Sequence, residues 1–437
     1  MTEPSESLPE HLFRHAAGRL VATLTRVVGP ARLDLAEEVV QEALVKAVEV
    51  WPYQGVPRNP AGWLYAVARH RAVDRLRREA SLRRKVAALA PLTAEPAPGR
   101  PGEHDDQLAM IFLCCHPALS RAGRMALTLK TVGGFGVDEI AAALLTRPAA
   151  IAQQLVRAKR RIRTSGLRFA LPGPHDVDER LDSVLEVLYL LFTEGYQAHS
   201  GERLTRAALC EEAVRLGRLL LESPATRQPA VHALLALMLL QGSRLPARTG
   251  PAGDVLRLEE QDRSRWSRSA IREGFEHLEQ AARGDRVTAY HVEAAIAACH
   301  AATVDGGPTD WPRVLELYDE LLVIKPSPVV ALNRALALAM VEGPRAGIRA
   351  LGRLARHRAL RGYHLLPAAL GALWQRAEGE ARAARCYRTA ERQAASAPTR
   401  RFLAAQAARL RPVARPRGRA PGRTGRPRGP AGRPPAR

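Results

Sequence analysis

The chain has little of what secreted, membrane and metal-binding proteins rely on. Cysteine is sparse: Cys114, Cys115, Cys210, Cys299 and Cys386 are five in 437 residues, and no two form a C-x-x-C pair. The adjacent Cys114 and Cys115 beside His116 are poorly spaced to chelate one ion, so they read as buried thiols in a reducing compartment, with no metal. No apolar run reaches the roughly 18 to 20 residues of a membrane span. The N-terminus "MTEPSESLPEHLFRHAAGRL" carries early acids and no signal-peptide core. These absences predict a soluble cytoplasmic protein with no membrane partner. Alternating β-branched runs are scarce, which argues against a sheet. Also missing is H-E-x-x-H or any other chemically matched spacing. His277, His291, His300 and Glu293 are the candidates for a catalytic site, but they read as helix-surface or core residues, so neither an enzyme nor a cofactor is expected.

Lysine is the last scarcity, 5 against 61 arginines. With so much Ala, Gly and Pro, that bias reflects a GC-rich genome as well as function, so the position of charge informs more than its total. The total still matters: a net charge of +22 suggests a polyanionic partner. Apolar content of 46% suffices to fold, and the length predicts two to four domains. Apolar residues recur at helical spacing nearly throughout, so the expected class is all-α. A first helical block spans 10–89, a Pro/Gly-rich linker 90–104, a second block 105–170 and a third 176–410. The tail 411–437 has nine Arg and no acid, and by composition it is expected to be disordered.

Residues 137 to 163, "VDEIAAALLTRPAAIAQQLVRAKRRIR", hold two tightly joined helices. In the second, Ile151, Leu155, Ala158 and Ile162 make one buried stripe, and Pro148 suits its first turn. The first helix buries Ile140, Ala141 and Leu144. The exposed side of the second carries Ala149, Ala150, Gln153, Gln154 and Arg157, then Lys159, Arg160, Arg161 and Arg163. This is a helix-turn-helix pattern with a second helix suited to a major groove. Gln and Arg near its start would reach base edges, and its basic end would meet phosphates. An ordinary hairpin with a solvated basic face fits the same residues.

In the first block, "LAEEVVQEALVKAVEVW" places Ala36, Val39, Val40, Ala43, Leu44, Ala47, Val48 and Trp51 on an inner face, and Glu37, Glu38, Glu42 and Glu49 on the other. After "PYQGVPRNP", Leu64, Ala68, Ala72 and Leu76 can pack inward. Arg69, Arg71, Arg75, Arg77 and Arg78 are interleaved with Trp63, Tyr65 and His70. Between 58 and 85 there are nine Arg or Lys against two acids. Cations that track phosphates beside rings that stack on bases suit a single strand or melted duplex. Alternatively, Trp63 is a core residue at a helix start.

The third block repeats. Gly307, Gly343 and Gly379, spaced by 36, each precede a helix with matching inner positions Leu315, Leu351 and Tyr387. This predicts stacked helical hairpins close to the tetratricopeptide period, with an irregular all-α domain as the other reading.

Taken in order, "AEEVVQEALVKAVEVW", "NPAGWLYAVARHRAVDRLRR", a linker and "GVDEIAAALLTRPAAIAQQLVRAKRRI" resemble a bacterial extracytoplasmic-function sigma factor over residues 10 to 168. The rest resembles the subgroup with a long tetratricopeptide-like extension, including "CCHPALS", "LFTEGYQAHSGE" and "DGGPTDWPRVLELYDEL". His70 departs from a common Asn of the family, and Ala152 and Gln154 from basic residues. The resemblance implies that Glu37, Glu38, Gln41, Glu42 and Glu49 dock on a coiled coil of core RNA polymerase. It implies that Trp63, Tyr65, Arg69, His70, Arg71, Asp74, Arg75, Arg77 and Arg78 open and hold one element of promoter DNA. Arg147, Ala149, Ala150, Gln153, Gln154, Arg157, Lys159, Arg160 and Arg161 would read a second, upstream element as duplex. A linker of about 14 residues spans at most roughly 46 Å, or some 13 base pairs. The extension would take a peptide, protein or small-molecule ligand and regulate activity, with the acids of 176–186 shielding the arginines of 157–168. A stand-alone helix-turn-helix regulator with a helical sensor is the main alternative, and a peptide-binding scaffold another.

Overall fold

The computed structural model describes residues 8–83, 103–144, 146–173, 175–197, 205–250 and 254–410. Most of the expected linker and all of the tail lie outside these residues. Among the described residues the elements are helical, apart from one antiparallel bridge between Thr249 and Val255. The first group is α1 (Leu8–Val28), α2 (Leu33–Gln54) and α3 (Pro60–Arg83). The second is α4 (Glu103–Cys114), α5 (Arg121–Leu127), which runs into a π-helical turn at Thr128–Val132, α6 (Val137–Ala143) and α7 (Pro148–Thr164). Then come α8 (Val177–Tyr196), α9 (Ala207–Leu220), α10 (Pro229–Gly242), α11 (Arg268–Ala281) and α12 (Ala289–Ala301). The last are α13 (Trp311–Ile324), α14 (Pro328–Glu342), α15 (Pro344–Leu354), α16 (Leu365–Arg376), α17 (Glu380–Gln393) and α18 (Ala397–Arg409).

Local chemistry sets many of these starts. Ser120, Ser267, Asp310 and Ser327 each accept a backbone N–H of the first turn they precede, which satisfies an otherwise orphaned donor. Proline opens α7, α10, α14 and α15, where its missing N–H is harmless.

One apolar core runs from α1 through α12. Its densest element is α10, where Val231 and every residue from Ala233 to Leu240 are buried. A helix apolar on all sides must be enclosed, and α8, α9, α11 and α12 enclose this one. Against the expectation that nothing approaches a membrane span, Pro229–Ala247 is long and apolar enough by composition, at a mean hydropathy of 1.2, but most of it is buried inside the protein.

Beyond α12 the core breaks into three smaller ones in series, at α12–α14, α14–α16 and α16–α18. Gly307 and Gly343 precede helices as expected, and both have a positive φ (91° and 90°). The third position differs. Gly379 has φ −93°, and Glu378 takes the left-handed conformation (φ 58°). Gly379 is needed instead for closeness, because a Cβ there would lie 2.8 Å from the Trp374 ring. Leu351 and Tyr387 are buried as expected, whereas Leu315 is half-buried because Val314 and Leu317 take the central places.

Candidate polymerase and promoter interfaces

On α2, Ala36, Val39, Val40, Ala43 and Ala47 are buried, and on α3 so are Leu64, Ala68, Ala72 and Leu76. Val48, expected inside, is 67% exposed. It lies about 120° around the helix from Ala36, past the edge of the stripe. The acids and arginines of this block form one set and not two. Glu42 holds Arg71 at 2.6 Å, and both Glu38 and Glu42 hold Arg75. The hydrogen bond to Glu38, with the charge of both acids, raises the Arg75 guanidinium above its usual range. These pairs are largely exposed and can open at small cost. Away from α2, the outer face of α3 presents His70, Asp74, Arg77 and Arg78 to solvent. Trp63 is half-buried at the start of α3 and meets Trp51 edge-on at 5.6 Å between ring centroids. Gln41 is exposed, and Glu49 bonds Lys46 at 3.2 Å on the same helix.

In the second block, Ile151, Leu155, Ala158 and Ile162 are all buried on α7, and Ile140 and Ala141 on α6; Leu144 is half-buried. Each fully buried Ile or Leu stabilises by about 1.5 to 3 kcal/mol. Arg147, Ala149, Gln153, Arg157, Arg160 and Arg161 are exposed together on one side of α7, with Ala150 and Gln154 partly exposed. Gln153 accepts from Arg157 one turn later, at 3.5 Å.

Two of the expected contact residues stand elsewhere. Glu37 is not on a free acidic face: it is buried, with one carboxylate oxygen accepting from Thr131 Oγ1 and the other from Lys159 Nζ, each at 2.6 Å. Lys159 accordingly is turned away from the exposed side of α7. Its ammonium also meets Asp34 at 2.8 Å, with Arg163 3.8 Å from the same aspartate. Burial alone would lower the Lys159 pKa; Glu37 and Asp34 outweigh it and raise it. Nearby, α1 lies so close to the π-helical turn that a Cβ on Gly18 would sit 2.5 Å from the Val132 carbonyl oxygen. Arg26 of α1 pairs with the buried Asp106 of α4 at 3.2 Å. The start of α2 and the end of α7 are thus bonded face to face. Sequence reading missed Asp34, Thr131 and Gly18 because nothing local marks a contact made across some hundred residues.

Helix α8 ties on the other side. Arg180 donates to the Phe112 carbonyl at 2.8 Å, Ser183 donates to that of Cys115 at 2.6 Å, and Arg124 bonds Ser183. Three of the five acids between 176 and 186 pair away from the α7 arginines that they were expected to shield. Glu186 pairs with Arg121 at 3.0 Å and Arg124 at 3.2 Å, Asp178 accepts from Gln228, and Asp182 pairs with Arg286. The four residues weighed as catalytic each have separate surroundings. His277 meets His232 at 3.0 Å, His291 caps α12 at Thr288, and Glu293 binds Tyr189 and Lys325. His300 stands edge-on to Trp311.

Comparison with known proteins follows these divisions. Residues 12–82 match Sigma-70 region 2, and residues 109–162 match Sigma-70, region 4. Residues 180–282 match a family of unknown function, DUF6596. An uncharacterized protein of Rhizobium meliloti (strain 1021) is 42% identical over 328 residues, which cover 72% of this chain and 76% of that protein. With region 2 formed by α1–α3, region 4 by α4–α7 and a relative matched over most of its length, the chain belongs to the sigma-70 family of RNA polymerase sigma factors.

Proposed function

We propose that this is a sigma factor of the extracytoplasmic-function type, working in the cytoplasm, whose tetratricopeptide-like extension regulates it. Helix α2 docks on core polymerase through Glu38, Gln41, Glu42 and Glu49. Helix α3 opens and holds one promoter element with Trp63, Tyr65, Arg69, His70, Asp74, Arg77 and Arg78, joined by Arg71 and Arg75 when these leave Glu38 and Glu42. Helix α7 reads the upstream element as duplex through Arg147, Ala149, Ala150, Gln153, Gln154 and Arg157, with Arg160 and Arg161 on phosphates.

The observation that carries the regulatory part is the Glu37–Lys159 pair. It joins the polymerase-docking helix to the promoter-reading helix, so the two cannot separate along a promoter while it stands. The bonds from α8 into α4 and α5 support a role for the extension in setting this closed arrangement. The stack of small cores in α13–α18 supports the repeat reading.

The test is transcription in vitro with core polymerase on the gene's own upstream region, comparing the wild type with Glu37→Gln. Promoter-specific initiation that rises in the variant supports the reading. No initiation beyond core polymerase alone, with either protein, overturns it. Cutting the chain after Leu171 is a poorer test, because it would uncover the buried core that α8 shares with α4.

A further inference from the structure

We propose that the junction of α8, α10 and α12 binds a small phosphate-bearing ligand. Three guanidiniums collect there on two aromatic rings. Arg248 lies over Tyr196, 3.7 Å from its centroid, and Arg244 donates to the Tyr196 hydroxyl at 2.8 Å. Arg244 and Arg263 each stand 5.9 Å from the centroid of Trp266. Arg263 is occupied, donating to the carbonyls of Thr303 at 2.7 Å and Gly307 at 3.3 Å. Arg244 and Arg248 are half-buried, and among the described residues neither has a carboxylate within ion-pair distance. Two like charges held on one ring repel each other, and an aromatic face returns only about 0.5 to 2 kcal/mol to each. An anion between them would offset that repulsion.

A second observation points the same way. Trp266 is 3% exposed, and its indole N–H meets no partner among the described residues; nor does Nδ1 of His300, whose imidazole lies within the influence of Arg244. Buried polar groups without partners are rare in native structures and call for a reason. Here both stand beside Arg244.

The charge count selects phosphate. A phosphate ester carries about −1.5 to −2 at neutral pH, which offsets the charge of Arg244 and Arg248 beside Arg263, and the guanidinium fork pairs with its oxygens. A single carboxylate would offset only one of the three cations. The three arginines, Tyr196 and Trp266 lie in the segment 180–282, whose family has no assigned function. Binding here is read directly, so it stands or falls apart from the sigma activity.

The test uses the full chain labelled for indole N–H resonances, with Trp266→Phe to assign the Trp266 signal. Pyrophosphate, inorganic phosphate and citrate are titrated against sodium chloride of matched ionic strength. The expected result is a saturable shift of the Trp266 signal with pyrophosphate or phosphate. Arg248→Met, which keeps an apolar side chain over Tyr196, weakens that binding at least tenfold, as does Arg244→Gln. A variant with Arg160→Ala and Arg161→Ala on α7 leaves it unchanged. A shift reproduced by chloride, citrate binding as tight as pyrophosphate, or unaltered affinity in Arg248→Met would each overturn the assignment. If Arg244→Gln does not fold, Arg248→Met decides alone.

Discussion

The ammonium of Lys159 and the carboxylate of Glu37 meet at 2.6 Å although 122 residues separate them in sequence. One belongs to α7, proposed above to read duplex DNA, and the other to α2, proposed to dock on polymerase. Removing either charge leaves its partner poorly paired, Glu37 buried and Lys159 half-buried. Glu37→Gln is expected to lower unfolding stability by about 1 to 3 kcal/mol, because Lys159 keeps only Asp34. The double variant with Lys159→Met should recover part of that loss, since the two positions act as one unit. Urea unfolding of the two single variants and the double variant checks this; strictly additive losses would show that the pair is not coupled.

Gly18 offers a way to separate the blocks without touching charge. Any side chain there collides with the Val132 carbonyl, so Gly18→Val should push α1 off the π-helical turn at a cost of about 1 to 3 kcal/mol. The radius of gyration in solution should rise, and more protein should co-purify with core polymerase. A larger radius without stronger co-purification would mean that the contact does not occlude docking.

Lys159 faces Asp34 and Glu37, so it should contribute little to the salt dependence of duplex binding. Arg157→Ala, Arg160→Ala and Arg161→Ala should each flatten the slope of log affinity against log salt by about one. Gln153→Ala should alter base preference, by about 1 to 3 kcal/mol at one position. Binding isotherms at several salt concentrations, on matched and mismatched duplexes, separate these roles.

Trp63 is half-buried against Trp51. Trp63→Ala should therefore lose some stability and also impair strand opening more than duplex binding. Trp63→Phe should keep the packing and recover part of the opening. Permanganate reactivity of melted thymines reports it; normal opening in the alanine variant would leave Trp63 a packing residue alone.

Acid should weaken the extension. Burial, with His277 and nearby arginines, pushes His232 down to about 4, and burial with Arg244 does the same to His300. In the unfolded chain both take up protons near pH 6.5. Between roughly pH 6.5 and 4 the unfolded state therefore binds more protons, and stability falls as pH falls. It should level off below about 4. The urea midpoint followed from pH 7.5 to 4 should drop less steeply in His300→Gln than in the wild type.

What the sequence made legible was local and periodic. Ile151, Leu155, Ala158 and Ile162 were readable because one helix turn repeats every 3.6 residues and a stripe needs no outside partner. The 36-residue spacing placed Gly307 and Gly343 before helices, but it did not show that Gly379 packs on Trp374 while Glu378 takes the positive φ. The faces of α2 and α3 were half legible. Their apolar sides held apart from Val48, but charge pattern alone does not tell a carboxylate awaiting a partner protein from one already paired with Arg75. Glu37 and Lys159 were illegible because each sits on the polar side of its own helix, and only the packing of α1, α2 and the π-helical turn against α7 makes that side an interior.

The bonds from Arg180 and Ser183 to the carbonyls of Phe112 and Cys115 also bear on synthesis. Chains emerge from the ribosome N-terminus first and fold domain by domain. Here the DNA-reading half borrows its last core contacts from a helix made after it, and that helix in turn waits for α10 and α12 to enclose it. Region 4 therefore gains its full set of contacts only once α8 has been made. Synthesis thus ties the packing of the sigma half to that of its extension, because the two share one core.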